Sequence, residues 1–358
     1  MPELALGAAL FVLFLPQHGY INAMVSDGNL AELFACAAVY LLVQLQQLGV
    51  TWRRVWAVGV CVALAVLSKA TGYFLIPLGI LIGLSLAWRW YRPGATRRRR
   101  SLAVLAAVVT GLLALAVLPL AVLPLVSAQP LAMAANIAAN LDNLRHLGAY
   151  LLRLNAAGEF EQSLRSVFAS FWGDFGWMRA GLPQAVYWAL FIPLFLAAVG
   201  WVRHWRAQRR AAATTPGATR GASPYPLLGL AAALPAAFML GWFVLSPVGL
   251  QSNQARYLFG GLSALAVLLV RGWLHLAPAS AARRVLWVIA VGLVLLDALA
   301  LFGTLLAYFF PEAWPSMPAL LAALTAHKPG LPGWAGWYVG LVAVYAALLA
   351  RLAADLRR

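Results

Sequence analysis

Residues 285–309 read VLWVIAVGLVLLDALALFGTLLAYF: one acid, Asp297, no base, and the pair Arg283-Arg284 directly before the run. Periodicity cannot assign a continuous apolar run to helix or strand, but length can. About 20 apolar residues cross the hydrocarbon core as a helix, and lipid offers the backbone no partner, so a span is a helix or part of a closed barrel. The alternating ten-residue segments of a membrane barrel are absent from this sequence. Residues 285–309 therefore predict a transmembrane helix.

Working outward, comparable runs occupy approximately 4–16, 29–47, 55–68, 73–90, 102–126, 185–202, 226–246, 257–275 and 334–352. The expected fold class is all-α, a polytopic membrane protein of about ten transmembrane helices forming one membrane domain over residues 1–358. Composition agrees: 63% of residues are hydrophobic and 10% charged, against about 45–50% and about 25% in soluble domains. Cys36 and Cys61 both lie inside apolar runs, which argues against a disulfide framework. Met1-Pro2-Glu3 lacks the positive leader of a signal peptide, so the first run is read as a span.

The charge admits two readings. Lys and Arg total 26, all but Lys69 and Lys328 being Arg, and the net charge is +16. Such a balance suits nucleic acid, or it suits membrane topology, because basic residues stay on the cytoplasmic side. Placing the cations between the runs decides. Arg53, Arg54, Arg89, Arg92, Arg97 to Arg100, Arg203, Arg206, Arg209, Arg210, Arg220, Arg271, Arg283, Arg284, Arg351, Arg357 and Arg358 fall on one side, 19 of the 26. That side is expected to be cytoplasmic, with both termini on it, and nucleic acid is not an expected partner. The Arg97–Arg100 run reads as an anchor against anionic membrane lipids.

The two sides also differ in complexity. The basic linker at about 203–224 includes Ala211–Ser223, a Thr/Pro/Gly/Ala stretch with no core-forming pattern. On the outer side, about 127–184 is long and patterned. Ile137, Leu141, Leu144, Leu147, Leu151 and Leu154 recur at helical spacing among Asn140, Arg145 and Arg153, which predicts an extracytoplasmic amphipathic helix lying in the interface. Trp172, Trp177 and Trp188 then mark the return to the membrane.

Chemistry is expected at the outer helix ends. Asp27 precedes the second run in Ser26-Asp27-Gly28-Asn29, Lys69 sits in Ser68-Lys69-Ala70-Thr71-Gly72, and Arg256 opens the eighth run in Gln254-Ala255-Arg256-Tyr257. Three hairpin tips would thus bring one carboxylate and two cations to one surface. A lipid-linked phosphate needs fixed cations: Arg offers a bidentate fork, Lys a point charge. A nearby carboxylate can accept a proton from a hydroxyl. Plainer roles compete: Asp27 with Asn29 as a helix cap, Lys69 reaching headgroups, and Arg256 on a lipid phosphate. His146, His204 and His275 are separated in sequence, no His pair stands at helical spacing, and no Asp-x-Asp occurs, so no metal or cofactor is expected.

Leu15-Pro16-Gln17, Tyr20-Ile21-Asn22 and Val25–Ala31 resemble the early outer loop of bacterial GT-C superfamily glycosyltransferases, which include the protein mannosyltransferases and phospholipid-carrier-dependent enzymes. Leu67–Gly72, Ser170–Trp177 and Gln254–Phe259 extend the likeness, in order, over nearly the whole chain. The resemblance implies inverting sugar transfer from a polyprenyl-phosphate donor on the extracytoplasmic face of a bacterial inner membrane. On that reading Asp27 is the base or the acceptor-orienting acid, and Lys69 and Arg256 hold the donor phosphate. Gln254 and Tyr257 line the same mouth, and Trp172 and Asp174 flank the acceptor. The family's usual catalytic acid lies in a first outer loop, whereas the likeness begins close to residue 1. The expectation is a chain that starts downstream of that loop, or a shortened member. A transporter or flippase, or a non-catalytic scaffold subunit, are the rival readings.

Overall fold

The computed structural model describes residues 2–24, 26–91, 158–176, 178–214, 223–245, 254–314, 316–327 and seven positions between 340 and 354. The apolar run 102–126, most of the run 334–352, the amphipathic stretch 137–154, Trp177 and linker residues 215–222 lie outside them. The described residues are predominantly helical. In chain order they form α1 (Pro2–Leu13), α2 (Pro16–Asn22), α3 (Asp27–Leu48), α4 (Trp52–Ser68), a 3-10 segment (Ala70–Phe74) and α5 (Leu75–Tyr91). Then come α6 (Glu159–Trp172), the two-residue strands β1 (Asp174–Phe175) and β2 (Ala180–Gly181), α7 (Gln184–Thr214) and α8 (Tyr225–Leu245). A second 3-10 segment (Ala255–Gly261) leads into α9 (Leu262–Leu274). The order continues with α10 (Ala282–Ala298), a π-helical segment (Leu299–Leu305), α11 (Leu306–Phe309) and α12 (Met317–His327).

Among the described residues, four helical stretches are long and apolar enough to cross a membrane: α3, Gln184–Arg210, Ala255–Leu274 and Ala282–Phe309. The pair α1 and α2, bent by 63° at their break, makes a fifth if it is one span. The run 285–309 is thus helical from end to end, continued through its π segment.

Local chemistry sets the boundaries. Ser26 caps α3 by accepting from the Gly28 amide at 3.1 Å, and Thr51 caps α4 by accepting from Arg54 N at 3.4 Å. The far end of α3 is closed by Gly49, at φ +86°, and by Arg54, whose guanidinium donates to the Gly49 carbonyl at 2.8 Å.

The chain divides into two compact units. One comprises Ile21–Phe171 and Ala211–Leu268. Its core joins Leu42 and Val39 of α3, Val58 of α4, Leu78 of α5 and Leu227 of α8. The other comprises Met1–Tyr20, Trp172–Arg210 and Leu269–Arg358. In it α7 and α9 cross in backbone contact. A Cβ on Gly200 would stand 1.8 Å from the Gly272 carbonyl oxygen, and one on Gly272 would stand 2.4 Å from that of Ala197. Small residues that let backbones touch are how helices associate where no water drives them together. Trp273 locks this crossing by donating to the Pro193 carbonyl at 2.7 Å.

That crossing also joins two histidines that sequence separation had kept apart. His204 and His275 stack with ring centroids 4.0 Å apart, and Arg203 donates to the Leu276 carbonyl at 2.8 Å beside them. The short β1–β2 hairpin is antiparallel, pairing Asp174 with Gly181. Its backbone is satisfied by side chains. Gln17 accepts from Asp174 N at 3.0 Å, Tyr20 accepts from Gly176 N at 3.3 Å, and Tyr187 donates to the Gly173 carbonyl at 2.8 Å.

Candidate functional site

Asp27 is the first residue of α3, and Lys69 is the residue at which α4 stops. Lys69 is extended, at φ −163° and ψ 146°, and the 3-10 segment that follows folds straight back. Gly72 permits the fold: a Cβ there would lie 2.7 Å from the Ala65 carbonyl carbon at the end of α4. The reversal delivers the Lys69 ammonium to Asp27, with Nζ 2.8 Å from Oδ1. Two residues 42 positions apart thus form a direct ion pair. Lys69 is 27% exposed and Asp27 61%.

The pair is held from below. Ser26 donates to Asp27 Oδ1 at 3.2 Å while accepting from the Gly28 amide. The ammonium passes over Gly28, where an added Cβ would sit 3.4 Å from Nζ. Asn29 donates to the carbonyls of Met24 and Asn22, at 2.9 and 3.3 Å, and so pins the turn. The capping residue of α3 is therefore Ser26, not Asp27 or Asn29. Asp27 keeps its carboxylate for Lys69, and an ammonium with three donors has two left for an anion.

Arg256 lies on the second 3-10 segment, which packs against both α3 and the Ala70–Phe74 segment within the same unit. Its amide-side anchor is Ser170, 1% exposed at the end of α6, which accepts from the Ala255 backbone N at 2.9 Å. Phe171 meets Phe259 edge-on at 6.1 Å. The Arg256 guanidinium lies 5.3 Å from the Tyr257 ring centre and 3.4 Å from its hydroxyl. Gln254 heads the segment, its carbonyl accepting from Tyr257 N at 3.2 Å. Asp27, Lys69, Gln254, Arg256 and Tyr257 thus sit on neighbouring elements of one unit. Ser170 and Ser26 are supporting residues to which sequence reasoning assigned no such role, and Asn29, expected with Asp27 as a cap, instead pins the preceding turn. Hydroxyl and amide side chains beside turns were their only signal.

Trp172 and Asp174 belong to the other unit. Trp172 is 2% exposed, edge-on to Phe11 at 6.0 Å. Asp174 is half-buried at the hairpin start, and burial pushes its carboxyl pKa above the ordinary carboxylate value. Glu32 and Asp297 are half-buried and engaged by neighbours. Among the described residues no group of three His, Cys, Asp or Glu gathers as metal ligands do. No family model, no curated protein and no solved structure matches this chain.

Proposed function

We propose that the protein is a membrane glycosyltransferase that takes its sugar from a polyprenyl-phosphate-linked donor for envelope glycan or glycolipid assembly. One observation carries this reading: the Lys69–Asp27 ion pair at 2.8 Å, with Arg256 on an element packed against both supports, at the ends of apolar helices. The combination suits a substrate whose phosphate is fixed at a membrane surface while a hydroxyl attacks beside it. Lys69 and the Arg256 fork hold the donor phosphate and take up the charge that develops as it leaves. Asp27, oriented by Lys69 and Ser26, receives the proton of the acceptor hydroxyl. The new bond joins that oxygen to the anomeric carbon with inversion. The bond from this carbon to the phosphate oxygen breaks, and polyprenyl phosphate departs as the anion. Gln254 and Tyr257 border the same mouth, whereas Trp172, buried beside Phe11, and Asp174 belong to the other unit and carry no role in this proposal.

The ten-span architecture, with both termini on the arginine-rich cytoplasmic side of a bacterial inner membrane and the site on the opposite face, is part of the same proposal. It rests on the distribution of the cations along the sequence. The full chain in vesicles, supplied with a radiolabelled polyprenyl-phosphate sugar and an envelope lipid extract as acceptor, should yield a labelled product that resists mild acid. Label that crosses the bilayer still attached to its carrier would identify a transporter instead, and neither outcome would leave a scaffold.

A further inference from the structure

In the unit that contains α7 and α10, a cavity of about 640 Å³ opens between these two helices. Val186, Leu190 and Pro193 of α7 form one wall and Val285, Ile289 and Gly292 of α10 the other, each at helical spacing. Trp172 and Trp273 also line it. The lining runs from Arg284 of α10 to Leu299, the first residue of the π segment, and at about 1.5 Å rise per residue this is on the order of 22 Å. That exceeds the roughly 15 Å of one leaflet in a hydrocarbon core of about 30 Å. A Cβ on Gly292 would meet nothing within 4 Å, so the middle of the groove is open.

Among the described lining residues Arg284 is the single charged one, and it stands at one end. The same end gathers Arg203, whose guanidinium reaches the Leu276 carbonyl, with Leu276 itself in the lining, and Arg283 beside Arg284. The nearest acid in the chain is Asp297, thirteen residues beyond Arg284 on α10; Glu3, at the start of α1, stands one turn before Gly7, whose added Cβ would meet Leu286 at 2.7 Å. An apolar slot of membrane depth with cations at one mouth is complementary to a chain carrying an anionic head. A basic pocket between transmembrane helices is how such heads are recognised.

We infer that this groove binds an anionic glycerophospholipid, its acyl chain between α7 and α10 and its phosphate on Arg284 with Arg283 and Arg203 around it. The site differs from the Asp27–Lys69 mouth in both residues and ligand, and it stands whether or not the protein transfers sugar.

The test is native mass spectrometry of the full chain released from detergent, after equilibration with phosphatidylglycerol or phosphatidylcholine. The wild type should retain one phosphatidylglycerol in preference to phosphatidylcholine by about fivefold, the order expected of one arginine facing an anionic lipid. Arg284→Gln should abolish the preference, and Gly292→Phe should fill the slot and release the lipid at unchanged melting temperature. Arg53→Gln, on α4, should change neither. Inorganic phosphate at matched ionic strength should not displace the lipid. Equal retention of the two lipids, a preference surviving Arg284→Gln, displacement by free phosphate, or a dimer mass in place of lipid would each overturn the inference.

Discussion

Replacing Gly200 by Ala adds one methyl group where the α7–α9 crossing has no room for it. The new Cβ would start 1.8 Å from the Gly272 carbonyl oxygen, whereas unstrained heavy-atom contact lies near 3.5 Å. The helices must part by roughly 1.5 Å, and the obstacle is backbone, which cannot rotate away. Overpacking of this kind costs about 1–3 kcal/mol. Alanine returns up to about 1 kcal/mol of helix propensity relative to glycine. The net loss should be about 1–2 kcal/mol, a fall in melting temperature of roughly 2–8 °C on the scale of 150–250-residue domains. Gly229→Ala is the matched control: it also lies in a helix, but an added Cβ meets nothing within 4 Å. It should be neutral or slightly stabilising. Intrinsic tryptophan fluorescence during heating in one detergent compares the two. Equal melting of both variants would mean that α7 and α9 do not cross in backbone contact.

Two further outcomes follow from the geometry. Ser170→Ala leaves the buried Ala255 amide without its hydroxyl partner and should cost about 1–3 kcal/mol; an unchanged melting curve would remove Ser170 as the anchor of the Arg256 segment. Burial, then Arg271 and then the stacked His204, hold His275 down to about 4. The unfolded chain takes up that proton near 6.5, so stability is complete above this and declines as pH falls toward about 4. After solvent screening the loss is on the order of 1 kcal/mol. His275→Phe should flatten the fall in melting temperature over that interval, and an unaltered slope would place the titration elsewhere.

The sequence made the helices legible because their signal is local. An unbroken apolar run at 285–309 behind Arg283-Arg284 needs no tertiary information to be read as a helix. Contacts that depend on where the chain reverses were not legible. Spacing brought Asp27 and Lys69 to the same surface, but their direct pairing follows from the extended backbone at Lys69 and the close approach of Gly72 to Ala65. The His204–His275 stack follows from the glycine crossing of α7 and α9, which no pattern within either helix announces. Ser26 took the capping position because its hydroxyl reaches Gly28 N, leaving Asp27 free to turn to the ammonium. Aromatic content placed Trp172 at the interface by type alone, whereas its ring is an interior surface beside Phe11.

The central claim is that Lys69 and Arg256 hold a donor phosphate beside Asp27. Its most direct test is the initial rate of labelled sugar transfer from a polyprenyl-phosphate-linked donor by the full chain in vesicles, for wild type, Lys69→Met and Arg256→Gln. The account predicts glycosidic product from wild type and a loss on the order of 100-fold in each variant, the size expected when a group that stabilises developing charge is removed. Undiminished transfer by both variants would contradict it.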